Sequence, residues 1–279
     1  MFIYVEKILP KNIYILVGVG HLFIFISKYQ THFGGVMKVV WCITGAGHLL
    51  RESFEVMKKL KKHGIKITTL VSRAGEEVVK MYGLMEDLYK ISNNNYYEEL
   101  IFEREHPYSA PITGRLSLGK YDYLISTPTT GNTVAKVVNG IADTLVTNAI
   151  AQAGKGFVKC IIVPVDYEEG IVTTRLPFSI DREKCTLCKA CVEVCKNNAI
   201  VVNFDETSSK SFMEIILSKC VGCGKCKEIC QYDAVIAGKE IKMRVRKIDA
   251  ENTRKLKDLE DTIVLKHPYE IIDILLKKP

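Results

Sequence analysis

Eight of the ten cysteines lie between residues 185 and 230, in two runs with the same spacing. The runs are Cys185-x2-Cys188-x2-Cys191-x3-Cys195 and Cys220-x2-Cys223-x2-Cys226-x3-Cys230. Short, repeated spacings of this kind indicate metal ligation in a reducing compartment rather than disulfide bonds. Zinc sites commonly use two CxxC pairs separated by a longer loop, so two four-cysteine runs fit zinc poorly. The chemistry expected here is one-electron transfer by iron–sulfur clusters.

The duplicated run resembles the cysteine pattern of bacterial two-cluster ferredoxins. In that family three cysteines of each run hold one cluster and the fourth serves the other cluster. The resemblance implies one [4Fe–4S] cluster on Cys185, Cys188, Cys191 and Cys230, and a second on Cys220, Cys223, Cys226 and Cys195. The chain departs from the family after each fourth cysteine, where Lys196 and Gln231 replace the usual proline. The other two cysteines, Cys42 and Cys160, are expected to be buried thiols.

The residues ahead of these runs alternate between apolar strands and amphipathic helices. Strands are predicted at residues 38–43, 65–71, 123–127 and 157–165, and helices at 49–63, 74–82 and 133–152. Residues 84–120 read as less regular. Strands that alternate with helices predict an α/β fold with a flavodoxin-like, doubly wound parallel sheet. A C-terminal α+β domain of the two-cluster ferredoxin type is expected to follow it.

Polar and glycine-rich turns follow the predicted strands, at residues 44–47, 72–75, 127–133 and 164–169. In doubly wound sheets ligands bind beyond the carboxyl ends of the strands, so these turns predict one binding site. The sequence has no Walker phosphate loop, and Leu50 occupies the third glycine position of a dinucleotide fingerprint. The remaining reading is a mononucleotide phosphate cradle, formed by the amides of Thr44, Gly45, Ala46 and Gly47, the Ser72 hydroxyl and Arg73.

Two further segments carry a specific family resemblance. Residues 128–133 read PTTGNT, and residues 140–148 read GIADTLVTN. Together they resemble the PxxxNT and GxAD-x-L-x-T motifs of FMN-binding flavoproteins related to peptidyl-cysteine and phosphopantothenoylcysteine decarboxylases. The resemblance covers about residues 37–166 and implies FMN and a trimer-based homo-oligomer. It also implies contacts with the flavin and substrate from Thr129, Thr130, Gly131, Asn132 and Thr133.

The chain departs from the decarboxylases at two places. Gly114 falls near the position of their catalytic histidine, and residues 164–167 (PVDY) replace their PxMNxxMW segment. A flavoprotein fused to a two-cluster ferredoxin instead resembles the archaeal iron–sulfur flavoproteins that include dihydromethanopterin reductase. That resemblance implies an oxidoreductase that passes electrons from a low-potential donor, such as a ferredoxin, through two clusters to FMN. The expected acceptor is a pterin, dihydromethanopterin, which is reduced to the tetrahydro form.

Other functions remain open from the sequence. An electron carrier would use FMN and the clusters to serve a protein partner, whereas a flavin-dependent lyase is disfavoured by both departures. No catalytic residue is identified; His48 is a candidate phosphate ligand and His106 a candidate proton donor.

The formal charge of +7 does not indicate nucleic acid, because two clusters remove roughly four positive charges and an FMN phosphate about two more.

Four parts are expected along the chain: an N-terminal extension at residues 1–36, an FMN-binding domain at 37–178, a ferredoxin domain at 179–243 and a charged tail at 244–279. The apolar residues Ile271, Ile274 and Leu275 of the tail predict a short helix packed on the α/β domain. Residues 13–26 are apolar but shorter than the ~20 residues of a membrane span. We expect translation to start at Met37, with a membrane-associated segment as the alternative, and the protein to be cytoplasmic.

Overall fold

The computed structural model describes the backbone of residues 3–5, 13–18, 21–26, 35–106 and 111–277, with side chains in the last two ranges. The chain divides into two compact units, Met1–Val36 and Met37–Pro279. The first holds an antiparallel sheet of β1 (Ile3–Val5), β2 (Ile13–Gly18) and β3 (His21–Ile26). Across the described residues, no helix has the length and apolar character needed to cross a membrane.

The second unit holds the remaining elements. In chain order they are β4 (Lys38–Ile43), α1 (Leu50–Lys62), β5 (Lys66–Val71), α2 (Arg73–Met81), α3 (Met85–Ile91), β6 (Leu100–Phe102), α4 (Pro111–Ser117), β7 (Tyr123–Thr129), α5 (Gly131–Val138), α6 (Leu145–Lys155), β8 (Lys159–Pro164), β9 (Gly170–Arg175), β10 (Phe178–Ile180), α7 (Ala190–Glu193), β11 (Ile200–Asp205), β12 (Lys210–Ile215), α8 (Lys225–Ile229), β13 (Val235–Ala237), β14 (Glu240–Val245), α9 (Lys247–Leu256), β15 (Thr262–Val264) and α10 (Glu270–Leu276).

A six-stranded sheet in the order β15-β8-β7-β4-β5-β6 forms the centre of this unit. Every neighbouring pair runs parallel, which confirms the predicted doubly wound α/β fold. Strand β4 is buried on both faces, since Val39 and Trp41 pack with α1 on one side while Val40 and Cys42 pack with α6 on the other. Cys42 and Cys160 are buried as expected, and burial raises the pKa of both thiols.

Two local predictions are wrong. Residues 84–120 are not irregular throughout, because they contain α3, the edge strand β6 and α4. The single helix predicted at 133–152 is two helices, α5 and α6. Gly140 adopts a φ of +70°, which ends α5, and Thr144 then caps α6 through a reciprocal hydrogen-bond pair with Thr147.

The cysteine-rich module is built from three two-stranded antiparallel pairings: β9 with β14, β10 with β13, and β11 with β12. The chain then returns to the large sheet, where β15 pairs in parallel with β8. The short C-terminal helix is confirmed as α10, and its residues Ile271 and Leu275 are buried in the same apolar core as Leu50 of α1.

Candidate functional site

The eight clustered cysteines surround two cavities within the cysteine-rich module. Cys185, Cys188, Cys191 and Cys230 line the first cavity, and Cys195, Cys220, Cys223 and Cys226 line the second. These are the two sets that the crossed pattern predicts, with the fourth cysteine of each run facing the other set. Four thiols around each cavity are the donor set that a [4Fe–4S] cluster requires.

Local backbone geometry explains how each run places its thiols. Backbone N–H groups point at sulfur, with Ala199 N donating to Cys195 Sγ at 3.3 Å and Gly222 N to Cys220 Sγ at 3.4 Å. Such hydrogen bonds favour the thiolate form that binds iron. Burial, with the nearby Cys220 and Cys223, raises the pKa of Cys226 to about 11. Iron bound at Cys226 would supply the positive charge that offsets this shift.

At the carboxyl edge of the large sheet, the predicted turns meet. Thr44 Oγ1 donates to Pro128 O at 2.7 Å and accepts from Thr130 N at 2.9 Å, which joins the turns after β4 and β7. Val165 N donates to Thr129 O at 2.9 Å, which adds the turn after β8. Ser72 N donates to the carbonyl oxygen of Ile43 at 3.0 Å, which adds the turn after β5. The four turns therefore form one continuous rim, which we call the cradle (residues 44–47, 72–75, 127–133 and 164–169).

Within the cradle, the PTTGNT segment begins helix α5. Thr130 is the N-cap, and its Oγ1 accepts from Thr133 N at 3.3 Å. Thr129 is buried at the end of β7, where its hydroxyl donates to Ser126 O at 2.7 Å. Asn132 lies exposed in the first turn of α5. Threonine hydroxyls and the positive end of the helix dipole suit an anionic or polar ligand, so this group of residues fits a flavin mononucleotide.

A second helix N-terminus, that of α2, follows β5 on the other side of β4. Ser72 is its N-cap, with Oγ accepting from Gly75 N at 3.0 Å, and the Arg73 side chain is exposed. Arg73 N is occupied by Glu103, whose carboxylate also accepts from Leu145 N at the start of α6, both at 2.9 Å. No sequence pattern pointed to Glu103, because the three-residue strand before it, β6, was not predicted.

Two carboxyl groups face the Cα of Gly131. An added Cβ there would lie 2.8 Å from Asp166 Oδ2 and 3.0 Å from Asp249 Oδ1. Burial, reinforced by the charge of Asp249, raises the pKa of Asp166. Asp249 is held by the Arg246 guanidinium, which donates to its two oxygens at 2.7 and 2.8 Å. Asp166 lies in the PVDY segment that replaces the decarboxylase motif, and that departure was the only signal for it.

The two candidate histidines differ in position. His48 lies half-buried in the turn after β4, and burial lowers its pKa, although the nearby Glu52 and Asp166 act in the opposite direction. His106 is exposed, and its backbone N–H donates to Phe102 O. The neighbouring residues 107–110, which include Tyr108, lie outside the described residues. Of the two candidates, His48 is therefore the one next to the cradle, since it directly follows the turn of residues 44–47.

Comparison with known families agrees with both parts of the site. The flavoprotein family matches residues 27–172, which is more than half of the chain, and the 4Fe-4S dicluster domain matches residues 184–234. The matched ranges contain the cradle and the two cysteine sets respectively. The chain is therefore a flavoprotein that carries a two-cluster iron–sulfur domain, as the sequence predicts.

Two sequence relatives align with most of this chain and with nearly all of their own length. Dihydromethanopterin reductase (acceptor) from Methanocaldococcus jannaschii is 76% identical over 243 residues, which are 86% of this chain and 96% of the relative. The protein of the same name from Methanosarcina mazei is 44% identical over 85% of this chain and 98% of the relative.

A solved structure supports the fold. The crystal structure of Burkholderia xenovorans DmrB in complex with FMN, described as a cubic protein cage for redox transfer, aligns with a TM-score of 0.51 and 24% identity. The alignment covers 87% of this chain and 95% of that one. By the extent and identity of the match to its sequence relatives, the chain belongs to the dihydromethanopterin reductase (acceptor) family of iron–sulfur flavoproteins.

Proposed function

We propose that this protein reduces dihydromethanopterin to tetrahydromethanopterin with electrons that reach FMN from two [4Fe–4S] clusters. The observation that carries the proposal is the 76% identity to a dihydromethanopterin reductase over almost all of that relative. The structure adds that the cradle and both cysteine sets lie in one compact unit, Met37–Pro279. A single chain thus has the parts for taking up single electrons and for binding a flavin.

FMN is proposed to bind in the cradle. Thr44 N and Ala46 N already donate to Pro128 O and Thr44 O, so the amides of Gly45 and Gly47, the Ser72 hydroxyl and Arg73 are assigned to its phosphate. Thr129, Thr130, Gly131, Asn132 and Thr133 are assigned to the flavin ring and substrate. Bound FMN supplies the ability to accept electrons singly and deliver them as a pair, which a C=N reduction requires. Glu103 stabilises two helix N-termini at the cradle, and its negative charge disfavours a phosphate at the first amide of α2.

Asp166 is the proposed proton-holding group at the cradle. Reduction of a C=N bond to CH–NH consumes two electrons and two protons, so a group that keeps a proton beside the flavin motif can supply one of them. The raised pKa of the Asp166 carboxyl lets it stay protonated at a higher pH than an exposed aspartate does. Gly131 N donates to Asp166 and orients the carboxyl group at the start of α5.

The partners are proposed on family grounds. A low-potential protein donor, such as a ferredoxin, is assigned to the cluster module, and nucleic acid is not expected. A trimer-based homo-oligomer is proposed because the GIAD loop, residues 140–143, is exposed in the single chain although its sequence matches a flavin-family motif. Sedimentation of the flavin-loaded protein would test the oligomer. The proposed location is the cytoplasm.

A single-turnover experiment tests the function. The protein is purified anaerobically, its iron and FMN are quantified, and it is fully reduced before dihydromethanopterin is added. We expect rapid reoxidation of flavin and clusters with tetrahydromethanopterin formed in proportion. A reduced spectrum that stays unchanged in fully loaded protein would reject this substrate and favour the electron-carrier function. Folate-type dihydropterin serves as the control ligand for specificity.

A further inference from the structure

The two cysteine loops share a left-handed backbone conformation at two equivalent positions but differ in the residues found there. Leu187 and Gly222 each stand two residues after the first cysteine of a run, with φ values of +59° and +63°. Lys189 and Gly224 are likewise equivalent, at +65° and +80°. Because leucine adopts this conformation in the first loop, the positive φ alone does not explain the glycine at position 222.

A close backbone contact explains Gly222. A Cβ added there would lie 2.4 Å from Gly83 N and 2.8 Å from Met81 O, at the end of helix α2. A Cβ added to Gly83 would in turn lie 2.6 Å from Gly222 O. Neither distance is tolerated in a packed protein, so glycine is needed at both positions. The second cysteine loop therefore packs directly on the α/β part of the molecule.

Tyr82 connects this contact to the cradle. Its hydroxyl group occupies the space beside Gly47, where an added Cβ would lie only 2.1 Å from the hydroxyl oxygen. The same hydroxyl donates to Arg175 O, and Arg51 Nη2 donates to the Tyr82 carbonyl at 3.3 Å. Tyr82 is thus fixed at its ring and at its backbone, between the Gly47 turn and Gly83.

The first cysteine loop has a different environment. Leu187 packs, with Cys185, against the small apolar core of Cys191, Ile200 and Met213 inside the cysteine-rich module. The side chain at this position is therefore used to stabilise the module itself. The equivalent position in the second loop is glycine, which allows the backbones of Gly222 and Gly83 to approach each other. Only the second loop therefore makes this contact at that position.

We propose that Tyr82, Gly83 and Gly222 form a junction that couples the second cysteine set (Cys195, Cys220, Cys223 and Cys226) to the flavin cradle. The first set then faces the external donor. The inference rests on the proposed function only in assigning a flavin to the cradle. Each transfer across the junction moves one electron, so the cysteine side is oxidised by one and the flavin side reduced by one. No covalent bond changes, and an external one-electron donor restores the lost electron.

Gly83→Ala tests the junction, with Gly64→Ala as its matched control. Both glycines follow a helix and have similar positive φ values, +71° and +80°, but an added Cβ at Gly64 meets nothing within 4 Å. Anaerobic holoprotein of known iron and flavin content is mixed with dithionite in a stopped-flow instrument. The flavin and cluster absorbances are followed separately. The rate of direct flavin reduction by dithionite rises with dithionite concentration. The rate of electron transfer within the protein does not depend on dithionite concentration.

In Gly83→Ala we expect this concentration-independent rate to fall several-fold, with cluster reduction, iron content and flavin content unchanged. Gly64→Ala is expected to behave as wild type. Gly222→Ala approaches the contact from the cysteine side and is expected to match Gly83→Ala. Equal limiting rates in Gly83→Ala, Gly64→Ala and wild type would overturn the proposal. The assay contains no pterin, so a failure of the proposed substrate leaves its result unaffected.

Discussion

At the scale of single residues, the carboxyl pair beside Gly131 gives the cradle a dependence on pH. Asp166 is half-buried, and desolvation together with the neighbouring Asp249 raises its pKa. A raised pKa means that the folded state binds this proton more tightly than the unfolded state does. The protonated form therefore stabilises the fold below the unfolded pKa of ~3.9, and this contribution is lost as pH rises through the folded value.

Asp166→Asn is the corresponding variant. Asparagine keeps an oxygen for Gly131 N but carries no charge, so we expect a melting temperature above that of wild type at neutral pH. The difference should vanish at acid pH, where Asp166 is protonated in both states. Melting curves between pH 3 and 8 measure this, because the acid end must lie below the unfolded pKa of ~3.9. If the wild-type protein were more stable than Asp166→Asn at pH 8, the raised pKa of Asp166 would be contradicted. Slower pterin turnover is also expected in the variant, because it lacks the carboxyl proton.

At the scale of elements, the N-cap of α5 links stability to the cradle. Thr130→Ala removes the hydroxyl that accepts from Thr133 N, and a lost cap costs about 1 kcal/mol. Thr130→Ser keeps the hydroxyl and is the control. Trp41, the single tryptophan, is fully buried on β4 and donates from Nε1 to Thr127 O at 3.1 Å, so its fluorescence reports unfolding of this region. Equal midpoints for the alanine and serine variants would contradict the capping role.

The elements also show what the sequence could predict. Strands β4, β5, β7 and β8 were predicted because each is a short segment rich in apolar and β-branched residues, which suits burial on both faces. The three-residue strands β6 and β15 were missed because so short a segment has no measurable periodicity, and their pairing depends on distant parts of the chain. The break at Gly140 was missed because apolar residues continue on both sides of it.

The site divides in the same way. Cysteine spacing and strand-end turns are local patterns, and they predicted the two cysteine sets and the turns that form the cradle. Glu103, Asp166, Tyr82 and Gly222 act through contacts between residues far apart in sequence, which no single-sequence pattern encodes. Such residues become visible only once the fold brings the turns together.

At the scale of the whole molecule, the C-terminal segment stabilises the large sheet. Ile271 is fully buried in the core that contains α1, so Ile271→Ala is expected to cost about 2–5 kcal/mol. Ile248→Ala is the control, because Ile248 is 49% exposed on α9. Urea unfolding followed by Trp41 fluorescence compares the two. Similar midpoints for both variants would show that α10 adds little to the core.

The pairing of β9 with β14 has a consequence for how such a chain can be assembled. Gly170 pairs with Val245, so the two ends of the 76-residue segment 170–245 lie next to each other. The segment leaves the α/β scaffold and returns to it at one place. The iron–sulfur module is therefore an insertion in the chain between β8 and β15 of the large sheet, and not a domain added at one end. Insertions whose ends meet can be exchanged with little loss of loop-closure entropy. A scaffold of this shape can acquire or replace its electron input without rebuilding the flavin site.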